Sequence, residues 1–155
     1  MLKKLSKIAL SMALLVGFAG VAQAEMTREE YAIKFRRGGY TMAAWYFGSL
    51  SRMVKGEMPY DKALFARNAE YLAVLSKLPK DGFIPGSDTG DTKAKPEIWF
   101  QGAKFKEAND RFENESAKLA EVAKGGDLNA IKEQLGKVQK TCKSCHDDFK
   151  NKSVQ

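Results

Sequence analysis

The chain has 155 residues, 44% of them hydrophobic, and a formal net charge of +7. Acids and bases are interspersed rather than blocked, which argues against a nucleic-acid partner and leaves at most a mild preference for acidic ones. No repeat, low-complexity segment or interdomain linker is visible, so a single domain is expected.

The first 24 residues read as a cleaved secretory signal. Lys3, Lys4 and Lys7 precede an apolar run from Ile8 to about Gly20, and Ala22 and Ala24 form an A-x-A site before Glu25. The run is too short and too broken by glycine for a membrane span of ~20 apolar residues, so no membrane insertion is expected after cleavage. Residues 25–155 would form the exported chain, in an oxidising space such as a bacterial periplasm. Losing three lysines and no acid lowers the formal charge from +7 to +4.

Four helical segments follow. The first is expected from about Thr27 to Lys55, where Thr27 and Glu30 have capping-box spacing. Ile33, Tyr40, Phe47 and Val54 recur every seven residues on one face, and the stretch GEMP ends the pattern. The second is expected from about Asp61 to Leu78, on Leu64, Tyr71, Leu75 and Leu78, with Pro79 as its stop. The loop from Lys80 to Lys95 carries glycines, Pro85 and aspartates that oppose a regular element.

The third helix opens at Pro96. It carries Ile98, Phe105, Phe112 and Leu119 in seven-residue steps as far as Gly125-Gly126. The fourth opens at Asp127, a good N-cap residue. Its seam is Leu128, Ile131, Leu135 and Val138. No segment alternates with period two, so no strands are expected. Four amphipathic helices with mostly short connections predict an all-α, antiparallel up-down four-helix bundle.

The seam of the fourth helix continues into VQKTCKSCHDDFKNK. Steps of four, three and four from Val138 reach Cys142, Cys145 and Phe149, so the two cysteines face the bundle interior. These cysteines and His146 are all the cysteine and histidine in the chain. Buried thiols, a disulfide and a redox pair are alternatives, although a redox pair usually needs a βαβ setting. A zinc site lacks a fourth ligand. The reading preferred here is C-x-x-C-H, the attachment motif of c-type haem, which would place covalent haem near the C-terminus. Two thiols add across two vinyl groups on one porphyrin edge, and the adjacent His146 reaches the iron as proximal ligand.

The far side of the iron separates two functions. No second histidine exists, and methionine is the usual further ligand of an electron carrier. Met26 and Met58 fall at or beyond helix ends. Met42 and Met53 lie about 200° and 220° around the first helix from Tyr40, at ~100° per residue. This phase argues against a methionine ligand. Tyr40 is placed to cover the haem, and Arg36, one turn earlier on the same side, is suited to a haem propionate.

The exported chain resembles the cytochrome c′ family of class II c-type cytochromes. The resemblance runs through AIKFRRGGYTMAAWYFG, VKGEMPYD, LSKLP, KPEIW and CKSCHDDFK. It implies one covalent haem c per subunit, a pentacoordinate high-spin iron, a homodimer, and binding of nitric oxide and carbon monoxide with little affinity for dioxygen. It matches Arg36 and Arg37 to the propionate-contacting pair and Tyr40 to the distal residue. It also matches Phe83 to the loop aromatic of the pocket and Asp91 to the loop aspartate at the haem edge. Where the family most often has arginine after the haem motif, this chain has Lys150.

The expectation is therefore a periplasmic gas-binding haem protein that exchanges one electron with a redox partner not named by the sequence. The alternative is a low-spin electron-transfer cytochrome. No acid–base or nucleophile constellation stands beside the motif, so an enzyme is not expected.

Overall fold

The computed structural model of the protein describes residues 25–152. The secretory signal expected over residues 1–24 lies outside the described residues. Five helices are present: α1 Arg28–Lys55, α2 Lys62–Leu75, α3 Glu97–Phe100, α4 Gly102–Gly125 and α5 Leu128–Phe149. The long four form a ring in which α1 packs on α2, α2 on α4, α4 on α5, and α5 more sparsely back on α1. The single-turn α3 leads into α4. This is the expected all-α four-helix bundle.

The helix ends follow local chemistry. Thr27 accepts from the Glu30 amide at 3.2 Å, and Glu30 accepts from the Thr27 amide at 2.8 Å, a complete capping box. Asp61 caps α2 through the Leu64 amide, and Asp127 caps α5 through the Asn129 amide. Gly56 ends α1 with φ of 74°, a left-handed conformation that favours glycine.

Three details differ from the sequence reading. Helix α2 stops at Leu75 rather than Leu78, and Pro79, which has no amide hydrogen to extend the ladder, opens a 3-10 turn over Pro79–Gly82. The loop expected to be irregular therefore contains this turn. It also makes an isolated antiparallel bridge between Ala94 and Lys150. The third helix is broken at Gln101 (φ −115°, ψ 46°), which separates α3 from α4.

The main core runs between the four long helices and reaches the haem motif, with Cys142 packed against it. Leu50, Phe65, Leu72, Leu119, Ile131 and Val138 are fully buried there. Met53 is buried in this core and does not line the cavity, in keeping with a phase off the centre of the Tyr40 face. A bundle helix buries a broad arc, and the most buried row of α1 is Arg36, Ala43 and Leu50 rather than the Tyr40 row. Tyr40 and Phe47 border the inward arc, where a cavity replaces core packing.

Gly82 brings the loop onto α1. A Cβ there would lie 2.7 Å from the Ala32 carbonyl oxygen and 2.8 Å from Arg36 Cβ, so a side chain would push the turn off the helix.

Candidate haem site

Between α1, α4, α5 and the loop lies a cavity of about 590 Å³. The α5 wall carries Cys142, Cys145, His146 and Phe149. Tyr40, Ala43 and Phe47 face it from α1, with Phe105, Ala108 and Phe112 from α4. Arg36, Arg37, Phe83 and Asp91 also line it, so all eight residues singled out from the sequence meet at one cavity. Its size is in the range of cofactor sites.

The donor chemistry fits a covalently held haem. Both cysteines are free thiols one helical turn apart. Burial, followed by the neighbouring Cys142 and Asp148, pushes the Cys145 thiol up to about 11, and burial also raises Cys142. Both are thus protonated thiols at neutral pH. The His146 imidazole is held below its ordinary value, first by burial and then by Lys150, which favours the neutral ring with a free lone pair. Among the described residues no methionine lines the cavity.

The loop closes one side through a buried cation. Arg36 is 2% exposed, so it is not a surface charge. Its Nη1 donates to the Gly82 carbonyl at 2.7 Å and to Ser87 Oγ at 2.6 Å. Its Nη2 donates to the Ser87 carbonyl at 2.6 Å and to Thr92 Oγ1 at 2.8 Å. The guanidinium carbon sits 4.5 Å from the Phe83 ring centroid. Phe83 also packs edge-on against Phe105 at 4.8 Å, and its centroid is 6.4 Å from that of Tyr40. At the exposed rim, Arg37 pairs with the Asp91 carboxylate and donates to the Asp91 carbonyl at 2.9 Å.

Several contributing residues were not singled out from the sequence. Lys95 Nζ donates to the Asp147 and Asp148 carbonyls at 2.9 and 3.1 Å, and its amide donates to the Phe149 carbonyl. These bonds satisfy carbonyls that the end of α5 leaves unpaired, and fix the turn carrying His146. Trp99 donates to the Ile84 carbonyl at 3.1 Å and holds the loop from α3. Asn109 stands on α4 among the aromatic residues of the cavity. Its signal was a polar residue between Phe105 and Phe112 in an otherwise apolar row. Ser87 and Lys95 carry no comparable signal, because their partners lie 51 and 52 residues away.

The fold and the site define a helical-bundle protein with the attachment chemistry of a c-type haem. The family model described as Cytochrome C' matches residues 31–150. The cytochrome c′ of Rubrivivax gelatinosus is 41% identical over 122 residues, covering 78% of this chain and 95% of the relative. Among solved structures, cytochrome c prime from Shewanella frigidimarina matches with a TM-score of 0.79 and 39% identity, covering 83% of this chain and all of that one. A nitric oxide complex of a leucine-to-alanine variant of cytochrome c prime from Alcaligenes xylosoxidans matches with a TM-score of 0.77, 39% identity and the same coverage. The chain belongs to the cytochrome c′ family, and membership implies a covalently bound c-type haem.

Proposed function

We propose that this protein is an exported, periplasmic haem c protein. One haem is held per subunit, and small diatomic gases, nitric oxide and carbon monoxide, bind on the side faced by Tyr40. It works as a homodimer and exchanges single electrons with a periplasmic partner, without catalytic turnover. When bound, the haem would supply an iron able to take a small neutral ligand and a ferric/ferrous couple.

The chain's own residues divide the remaining tasks. Cys142 and Cys145 would hold the group through thioethers, each S–H adding across a vinyl group. His146 offers its lone pair from the α5 wall. Tyr40 and Phe47 present an aromatic wall opposite, which limits the site to small ligands. Arg37 and Asp91 stand at the rim, where a propionate would meet the arginine. Arg36 keeps the loop and Phe83 in place, and its Nε–H is the donor left for a propionate.

The observation that carries this reading is that His146 and both thiols share one cavity, lined by no methionine among the described residues. Solved relatives from Alcaligenes xylosoxidans hold nitric oxide or carbon monoxide, which supports the gas-binding part. The secretory signal over residues 1–24 supports export. Absorption spectra of the purified holoprotein test the proposal. A high-spin, five-coordinate pattern in both oxidation states, with a carbon monoxide shift on the ferrous form, is expected. A six-coordinate, low-spin spectrum unaffected by carbon monoxide would replace it with the electron-transfer cytochrome.

A further inference from the structure

We infer that Asn109 is a positioning residue that latches Tyr40 across the cavity and sets how fast a diatomic ligand enters. This deepens the proposed function and rests on it for the identity of the ligand.

Asn109 is 5% exposed, on the face of α4 between Phe105 and Phe112. A buried amide is costly unless its polar atoms find partners. Its Nδ2 donates to the Phe105 carbonyl at 2.8 Å, one turn back on its own helix. That bond orients the amide, and Oδ1 is aimed across the cavity at Tyr40. The Tyr40 hydroxyl donates to it at 3.4 Å. Both residues line the cavity, from opposite helices. The bond therefore ties the ring that faces the iron side to a fixed point on α4.

The length of the bond matters as much as its existence. Hydroxyl donors ordinarily reach their acceptors at 2.5–3.0 Å, so 3.4 Å is a loose contact that opens at small cost. Phe83, 6.4 Å away by centroid, is a soft neighbour rather than a second anchor. Tyr40 thus has a preferred position over the cavity and a shallow barrier to leaving it. A ligand entering this side displaces the ring, and the latch adds to the cost of doing so. Breaking a bond this loose falls at the low end of the usual range, about two- to threefold in rate.

The test is a double-mutant cycle on the ferrous holoprotein with Asn109→Leu, Tyr40→Phe and the double variant. Asn109→Leu keeps the branched shape and removes the acceptor. Tyr40→Phe keeps the ring and removes the donor. Carbon monoxide association is followed by flash photolysis, and thermal unfolding of the same four proteins is recorded. Each single variant should bind about two- to threefold faster. The double variant should be no faster than either, and the stability losses should likewise fail to add.

Additive effects in both measurements, or no acceleration in either single variant, would overturn the latch. If Asn109→Leu does not fold, Asn109→Ser replaces it in the cycle. A parent that binds no carbon monoxide would sink the proposed function instead. The stability cycle would then still decide whether Asn109 holds Tyr40.

Discussion

Arg36 grips Ser87 from two sides, with Nη1 on the hydroxyl and Nη2 on the carbonyl, both at 2.6 Å. One buried guanidinium thereby joins the first helix to a loop more than fifty residues later, and four of its five donors are used on that loop. Replacement by methionine would leave several buried acceptors unpaired. We expect a loss of about 3–5 kcal/mol, at ~1–3 per orphaned group with partial relaxation. Protease cleavage within residues 82–92 should rise at the same time. Arg36→Met with an unchanged unfolding midpoint would show that the loop is held by other contacts.

Haem attachment is open to a direct chemical test. Acid–acetone treatment of the holoprotein should leave the haem on the polypeptide. A Cys142→Ala, Cys145→Ala double variant should release any haem it retains. Haem appearing in the organic layer from the parent would refute thioether attachment.

Tyr40→Ala should bind carbon monoxide faster and more tightly than the parent, because the ring no longer stands on the entry side. Its stability cost should fall below the ~3–5 kcal/mol typical of a packed aromatic, since one face of the ring meets a cavity rather than a core. Stopped-flow association with parent and variant under one condition decides the first point. Equal rates would remove Tyr40 from the distal side.

The same phenol makes a prediction at alkaline pH. Burial, aided by Cys145, raises the Tyr40 pKa above its ordinary value near 10. The neutral phenol is the form the fold accepts, so its contribution is complete below pH 10. It is lost as pH rises from there toward the folded value, because the unfolded chain ionises first. The parent's denaturation midpoint should fall above pH 10 more steeply than that of Tyr40→Phe. Parallel curves would mean that the phenol ionises equally easily in both states.

Dimer formation should depend on the outer face of α1. Tyr31, Phe35, Met42 and Trp45 are all at least half exposed, Trp45 at 73%. At ~100° per residue they fall within one stripe of about 80°. An exposed aromatic stripe of this kind marks an association surface. Trp45→Glu should shift the species seen in sedimentation from dimer to monomer at micromolar concentration. A parent already monomeric there would remove the dimer from the proposal.

The haem motif and the bundle were legible in the linear chain because both are local. C-x-x-C-H spans five positions, and a period of three and four needs only one helix to declare itself. The steps from Val138 through Cys142 and Cys145 to Phe149 placed the thiols inward, and the cavity wall agrees. Consecutive Trp45, Tyr46 and Phe47 could not share one core, and they divide accordingly. Trp45 is exposed, Tyr46 packs at a tilt against Tyr71 with centroids 5.1 Å apart, and Phe47 lines the cavity.

What depended on the meeting of distant segments was not legible. Seven-residue spacing put Tyr40 inward but could not tell a core position from a cavity wall, because both repay an apolar face in the same way. Local phase put Met53 off the centre of the Tyr40 face but could not say that the core would still enclose it. Arg36 read alone is equally suited to solvent, a propionate or a buried carbonyl cage. Only the fold, which brings Gly82, Ser87 and Thr92 around it, made the choice. Residue type and spacing determined which chemistry the chain holds and which helix carries it. The tertiary structure decided what that chemistry faces, because hydrogen bonds and packing across some fifty residues follow from how the helices and loop meet, and no local period encodes that.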